Sequence, residues 1–320
     1  MLSFVGRRIA VAVPTMLLIS VFAFALIHIA PGNPALVLVP PQEATPAVLR
    51  AVEKQYHLGD PLPVQYWAWV KKVADGDLGT SLAANVPVGR LVFSALPTTL
   101  ELTAAALLLA GVLGVLLGVL AATGPPFVDW LVRTVNLLEA SVPSFVFGIL
   151  FVLVFGYYLA GAISYDGWVT LGTSVSGNLE HVLLPAVALA LGPMGLIARL
   201  CRGAMLDVLG REYIEMARAL GVRERTIIWR DALKNALLPV LTALGLIAAY
   251  LLSGAVVIET IFDIPGIGQL VVNALNERDY PLVSGTVLVL SGLVLVINLV
   301  IDVVSGFVSP RLARSQAGGR

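Results

Sequence analysis

The feature that most constrains this chain is a series of apolar runs long enough to cross a bilayer as helix. Six can be marked, at about 9–30, 101–122, 134–159, 181–200, 236–258 and 282–304. A helix needs roughly 20 apolar residues to span the hydrocarbon. In lipid it is the open-ended structure that satisfies its own backbone. The expected fold is therefore all-α, with six transmembrane helices. Charge agrees, since Asp, Glu, Lys and Arg make up 12% of residues, against roughly 25% in soluble domains. The first run, Ile9–Ala30, follows Arg7 and Arg8 and could pass for a signal peptide. It spans 22 residues and ends in HIAPGNP, longer than the ~7–15 of a signal core and without a small-residue cleavage site. Pro143 interrupts the third run, and Pro185 and Pro193 the fourth; such prolines are tolerated where neighbours satisfy the freed backbone.

Several function classes are excluded by what the chain lacks. Its formal net charge is zero, which gives no basic face for nucleic acid. Cys201 is the single cysteine, ruling out an internal disulfide or a thiolate metal cluster and reading as a small buried residue. His28, His57 and His181 are too widely spaced for a metal site, and two of them fall where an amphipathic ring suits a membrane interface. No Gly-Lys dipeptide occurs, so there is no Walker A phosphate loop, and neither H-E-x-x-H nor G-x-S-x-G is present. Glu139 and Asp302 lie near span ends, where they reach water more readily than a mid-membrane proton relay would. No internal repeat is visible, which counts against a carrier built from inverted halves.

Orientation follows from the basic residues. Arg7, Arg8, Arg133, Arg199, Arg202, Arg211, Arg218, Arg223, Arg225, Arg230, Lys234, Arg311, Arg314 and Arg320 lie at the termini or in the second-to-third and fourth-to-fifth connections, 14 of the 20 Lys and Arg. Arg278 lies opposite, and Arg50, Lys54, Lys71, Lys72 and Arg90 fall in a long segment that weighs little. Both termini are expected in the cytoplasm. The division expected is residues 1–30 for the N-terminal end and first span, 31–100 external, 101–304 for the transmembrane core with a cytoplasmic loop at 201–235, and 305–320 as a tail. Within 31–100, Thr45 and Pro46 mark a helix start in TPAVLRAVEKQY. Tyr66, Trp67 and Trp69 stud a second short helix in LPVQYWAWVKKV, while GDLGTS and VPVGRLVFSALP read as turns. In the second run, GVLLG at 114–118 would let a helix approach closely, either within the chain or in a partner subunit.

The segment EYIEMARALG at 212–221 is the polar exception. On a helix, Tyr213, Met216, Ala217 and Leu220 form one stripe, with Glu212, Glu215 and Arg218 around it and Arg211 in reach of Glu215. Gly221 marks the helix stop. The segment cannot span and must lie on a membrane face. By its residues alone, docking on another protein and lying on anionic lipid are both open.

E-M-A-R-A-L-G at 215–221, followed by N-A-L-L-P at 235–239, resembles the "EAA" loop of ABC-importer permeases. The match is closest to the dipeptide/oligopeptide/nickel permease family, and within it to the first permease subunit. Met216 stands where the general loop has its first Ala, and the Gly221-to-Pro239 stretch is longer than in the general importer loop. Leu2, Arg7, Arg8 and Ile9 resemble the family's LxxRRI start. PGNP at 31–34, GDLGTS at 76–81, LPTTLEL at 96–102, ETIFDIPGIGQL at 259–270, ERDYPLV at 277–283 and SPRL at 309–312 follow in the family's order. The connection between the third and fourth runs is short beside many relatives.

The resemblance implies a type I ABC-importer permease fold in the bacterial cytoplasmic membrane. It implies half of a pathway completed by a homologous second permease. ATP-binding cassette subunits would hold ATP and Mg, with no cofactor on this chain, and would engage Glu212, Tyr213, Glu215, Met216, Ala217, Arg218, Ala219 and Gly221. An extracytoplasmic binding protein would deliver substrate, with Ile264, Pro265, Gly266 and Gly268 expected near the pathway mouth. Di- and oligopeptides are the expected cargo; nickel or glutathione in the same family is the alternative. A secondary carrier or channel would need midplane charges, and a membrane enzyme a polar cluster within the spans.

Overall fold

The structure, a computed structural model, describes residues 2–29, 39, 44–55, 58–159 and 167–308. Its helices are α1 (Leu2–Ile29), α2 (Pro46–Gln55), α3 (Leu62–Ala74), α4 (Val88–Thr123), α5 (Pro126–Ser141), α6 (Ser144–Leu153), α7 (Val175–Leu209), α8 (Glu212–Ala219), α9 (Leu233–Ile261), α10 (Ile267–Asn276) and α11 (Tyr280–Val308). A π-helical turn, Val154–Tyr158, extends α6, and another, Ile227–Ala232, leads into α9. Among the described residues, extended pairing is confined to one bridge, Thr80 with Pro87. Four helical stretches there are long and apolar enough to cross a membrane: Val88–Thr123, Val175–Leu209, Glu224–Ile261 and Tyr280–Ile301. Ala10–Leu26 and Ser144–Tyr158 are shorter apolar helices.

Two boundaries differ from the sequence reading. VPVGRLVFSALP is not a turn: α4 begins at Val88 and continues through Pro97. Val88, Val92 and Ala95, spaced by four and three, are buried with Ile267, Ala274, Leu282 and Val283. That helical apolar period outweighs the turn residues. The third run also breaks, with α5 ending at Ser141 and Pro143 capping α6. A residue before proline is pushed away from helical geometry. Pro185 and Pro193, by contrast, are buried inside an unbroken α7.

The chain divides into two compact units: residues 100–264 with 297 onward, and residues 2–99 with 265–296. In the first, α4, α7 and α9 share a core that includes Leu102, Leu189, Ile197, Met205, Leu251 and Ile258. Gly114 and Gly118 of α4 lie against α7. A Cβ on Gly114 would stand 2.8 Å from Ile197, and one on Gly118 would stand 2.6 Å from Cys201 Cβ. The small-residue face thus packs within the chain, and Cys201 is buried in that seam. His181 Nδ1 donates to Gly177 O at 2.7 Å one helical turn back.

In the second unit, two of the family-like motifs meet. The Ser81 hydroxyl donates to Asp279 Oδ2 at 2.5 Å, and the Ala83 amide donates to the same oxygen at 3.2 Å. Asp279 Oδ1 accepts from the Leu282 amide at 3.1 Å, capping α11. GDLGTS is shaped for this contact by Gly76 and Gly79, both at positive φ, and by the Asp77 carboxylate accepting from the Gly79 amide. Thr45 Oγ1 accepts from Val48 N at 3.3 Å, as its capping position predicts. PGNP at 31–34, His57 and SPRL at 309–312 lie outside the described residues, as do the side chains of Arg7, Arg8, His28, Glu139 and Asp302.

Candidate functional site

Residues 212–221 form α8 and its cap. The helix has acids in its first turn, Glu212 and Glu215, and Arg218 in its last; both signs complement the helix dipole. Its end is a Schellman motif. Gly221 sits at φ +77° and donates to Arg218 O at 3.0 Å, while Val222 N donates to Ala217 O at 3.1 Å. A residue with a Cβ is strained in that left-handed geometry, which is why glycine fits there.

The burial of this helix is the reverse of what its stripe suggests. Ile214 is fully buried, whereas Met216 is 66% and Leu220 77% exposed, and Tyr213 is exposed as well. α8 is therefore fixed by one isoleucine on its inner side and turns its apolar ridge outward. Glu212, Glu215 and Ala219 are exposed and Ala217 is too little covered to count as core; Arg218 lies half-exposed. The ion pair made here is Arg218 with Glu224 at 2.8 Å, bidentate through Nε and Nη2, and not Arg211 with Glu215. That hydrogen bond holds the Glu224 carboxyl below the usual carboxylate range and raises the Arg218 guanidinium further. It clasps the turn that follows Gly221 and so fixes the exit of α8.

A second link ties α8 to the start of α9. Asn235 Nδ2 donates to the Tyr213 hydroxyl at 3.3 Å and to Asp231 O at 2.8 Å. Asn235 opens the NALLP motif, so the two halves of the loop signature are in contact. Ile227 and Ala232 of the intervening π-helical turn are fully buried.

One ion-pair group escapes sequence patterning because its partner is distant. Asp129, in the first turn of α5, accepts from Arg202 Nε at 2.5 Å and Nη2 at 2.8 Å, with Arg133 at 3.2 Å. The Arg202 hydrogen bonds, helped by Arg133, hold the Asp129 carboxyl below its ordinary range. The i,i+4 spacing of Asp129 and Arg133 was legible; the 73-residue reach to Arg202 was not.

The expected mouth residues are mostly interior. Ile264 is fully buried and belongs to the core of the first unit. In the second unit, Pro265 is exposed, while Gly266 and Gly268 are buried at the start of α10. Thr99 Oγ1 accepts from Ile267 N at 2.8 Å there. Among the described residues, no group of three or more His, Cys, Asp or Glu could hold a metal ion.

α8, capped and with its apolar ridge outward, thus stands between two long apolar helices, α7 and α9. Residues 114–314 match the family described as binding-protein-dependent transport system inner membrane component, and residues 1–103 match the N-terminal region of such membrane components. The chain belongs to this family and is an inner-membrane permease subunit of an ABC importer. It is 37% identical to a di/tripeptide transport system permease protein, DppB, of Pseudomonas aeruginosa, over 98% of this chain and 99% of that one. It is 35% identical to a probable peptide ABC transporter permease protein, y4tP, of Sinorhizobium fredii, over 97% and 98%. It is 34% identical to a glutathione transport system permease protein, GsiC, of Salmonella paratyphi A, over 98% and 99%. The fold resembles that of the MetNI methionine ABC transporter in an inward-facing conformation, with TM-score 0.54 and 21% identity, over 68% of this chain and 96% of that chain.

Proposed function

We propose that this permease forms half of an import pathway for di- and oligopeptides and that α8 is the element through which ATP-binding subunits move it. The observation that carries the coupling role is the outward ridge of Tyr213, Met216 and Leu220 on a helix anchored by Ile214. A lipid-facing helix would be expected to lack the acids Glu212 and Glu215 beside that ridge; an ATPase groove can accept both. In this reading Glu212, Tyr213, Glu215, Met216, Ala217, Arg218, Ala219 and Gly221 contact the ATPase, which supplies ATP and Mg. Both termini and the loop at 201–235 face the cytoplasm, and residues 31–100 lie outside. A homologous second permease completes the pathway, and a substrate-binding protein delivers cargo to the external face, where exposed Pro265 is available for contact and Ile264, Gly266 and Gly268 shape the backbone behind it.

Peptide is preferred because two relatives of nearly full coverage are named as peptide permeases. The test is uptake by the full reconstituted complex with its binding protein. Dipeptide uptake that requires ATP hydrolysis is expected. Uptake that persists without hydrolysis and follows an ion gradient overturns the importer reading. ATP-dependent uptake of glutathione with none of dipeptides overturns the choice of cargo alone.

A further inference from the structure

The outward faces of two long helices in the same unit differ in kind. On α4, every exposed residue from Leu100 to Leu120 is Leu, Val or Ala. On α9, Thr242, Leu246, Tyr250, Ser253, Val257 and Thr260 are exposed. Their spacing of four, four, three, four and three places them within an arc of about 80° at 3.6 residues per turn. Val240, Ile247, Leu251 and Ile258 occupy the opposite, buried side. Four of the six outward residues carry a hydroxyl, and the stripe runs along most of the helix.

Lipid does not account for this stripe. Tyrosine facing lipid collects at the membrane interface, yet Tyr250 lies well inside α9 and is 62% exposed. We infer that this face of α9 lines the translocation pathway and is a sequence-independent binding surface for the substrate backbone. The inference rests on the importer function proposed above and assigns residues to its pathway.

The hydroxyl geometry gives the surface its chemistry. Thr242 donates to Leu238 O, Ser253 to Ala249 O and Thr260 to Val256 O, at 3.2, 3.3 and 2.9 Å. Each hydroxyl has spent its one proton on the backbone a turn earlier, so its free lone pairs accept. A row of neutral acceptors spaced along a helix suits a ligand rich in N–H donors, such as an extended peptide or its terminal ammonium. With no charge in the stripe, no side-chain charge on the cargo is selected. Leu246 and Val257 between the hydroxyls offer apolar contact to side chains of any sequence.

The test is cysteine accessibility in the assembled complex. Cys201 is the only native cysteine and is buried, so the wild-type chain sets the background. Thr242→Cys, Ser253→Cys and Thr260→Cys are close in size to the native residues; Leu116→Cys, on the wholly apolar outward face of α4, is the control. A hydrophilic, membrane-impermeant thiol reagent is expected to modify the three α9 cysteines during ATP turnover, above the Leu116→Cys level. A saturating dipeptide with its binding protein should slow that modification. Replacing the acceptors in the triple variant Thr242→Val, Ser253→Ala, Thr260→Val should lower dipeptide uptake about threefold to tenfold. Labelling no faster than Leu116→Cys in complexes that still take up peptide overturns the pathway assignment and places the face in lipid or in a subunit seam. Labelling that dipeptide does not slow overturns the recognition role. ATP-independent uptake by the wild-type complex sinks the importer reading instead, and is measured separately.

Discussion

The seam between α4 and α7 and the segment 212–221 both depend on glycine, for opposite reasons. At the seam, Gly114 and Gly118 supply absence of volume: an added Cβ would stand within 2.8 Å of α7 atoms. At Gly221 no atom lies within 4 Å of an added Cβ, and the need is for positive φ. One glycine type serves packing and therefore stability; the other serves the shape of an exposed cap. Damage at the seam should therefore destroy the subunit, whereas damage at the cap should leave a folded subunit in which, on the proposed coupling role of α8, ATP hydrolysis no longer drives uptake.

The largest break in that contrast is Gly118→Leu. Overpacking costs about 1–3 kcal/mol and more where backbone is in the way, and here Ala198 O lies 2.7 Å from the new Cβ. Folded yield and thermal stability in detergent should fall together with uptake. Gly111→Ala is its internal control, because the nearest atom, on Leu244, is at 3.4 Å; it should behave as wild type. Equal damage from both would show that the seam is not the constraint.

Gly221→Val comes next. Holding a β-carbon residue in left-handed geometry costs about 1–2 kcal/mol, spent locally at the end of α8. Membrane insertion and folded yield should stay near wild type, while ATP hydrolysis ceases to drive uptake. Glu215→Lys should act the same way without touching the backbone, by reversing charge on the outward side of α8. Normal uptake together with normal ATPase copurification in both variants would remove α8 from the coupling role.

The smallest effect concerns pH. Glu224 is held below the usual carboxylate range by Arg218. A lowered carboxyl contributes above its ordinary value, near pH 4, and that contribution is lost as pH falls through the lowered one. Coupling should therefore be flat from neutral pH to mildly acid. Arg218→Ala should shift that behaviour slightly and leave folding intact, since exposed pairs add little. A sharp loss of coupling near neutral pH in the wild type would point to a different titrating group.

Much of the fold was legible because a bilayer imposes a length on apolar runs, and α4, α7, α9 and α11 each contain one of those marked. The start of α4 was misread because Pro87, Gly89 and Pro97 are turn residues in isolation, and only the burial of Val88, Val92 and Ala95 overrides them. The stripe on α8 was read correctly as a stripe and incompletely as a surface. Periodicity groups residues on one face but does not say which face is covered. Ile214, off the stripe, is the residue that is buried.

The helical membrane class, the place of the polar loop between apolar runs, and the motifs that mark an importer permease are all written in the chain's order of residues. These depend on local composition and on spacing within one helix, where neighbours in sequence are neighbours in space. It took the folded chain to reveal that GVLLG packs on α7, that Ser81 donates to Asp279, that Asp129 pairs with Arg202, and that the hydroxyls of α9 face outward. Each of those contacts joins residues far apart along the chain, or is defined by what fails to cover a surface, and no period in the sequence encodes either.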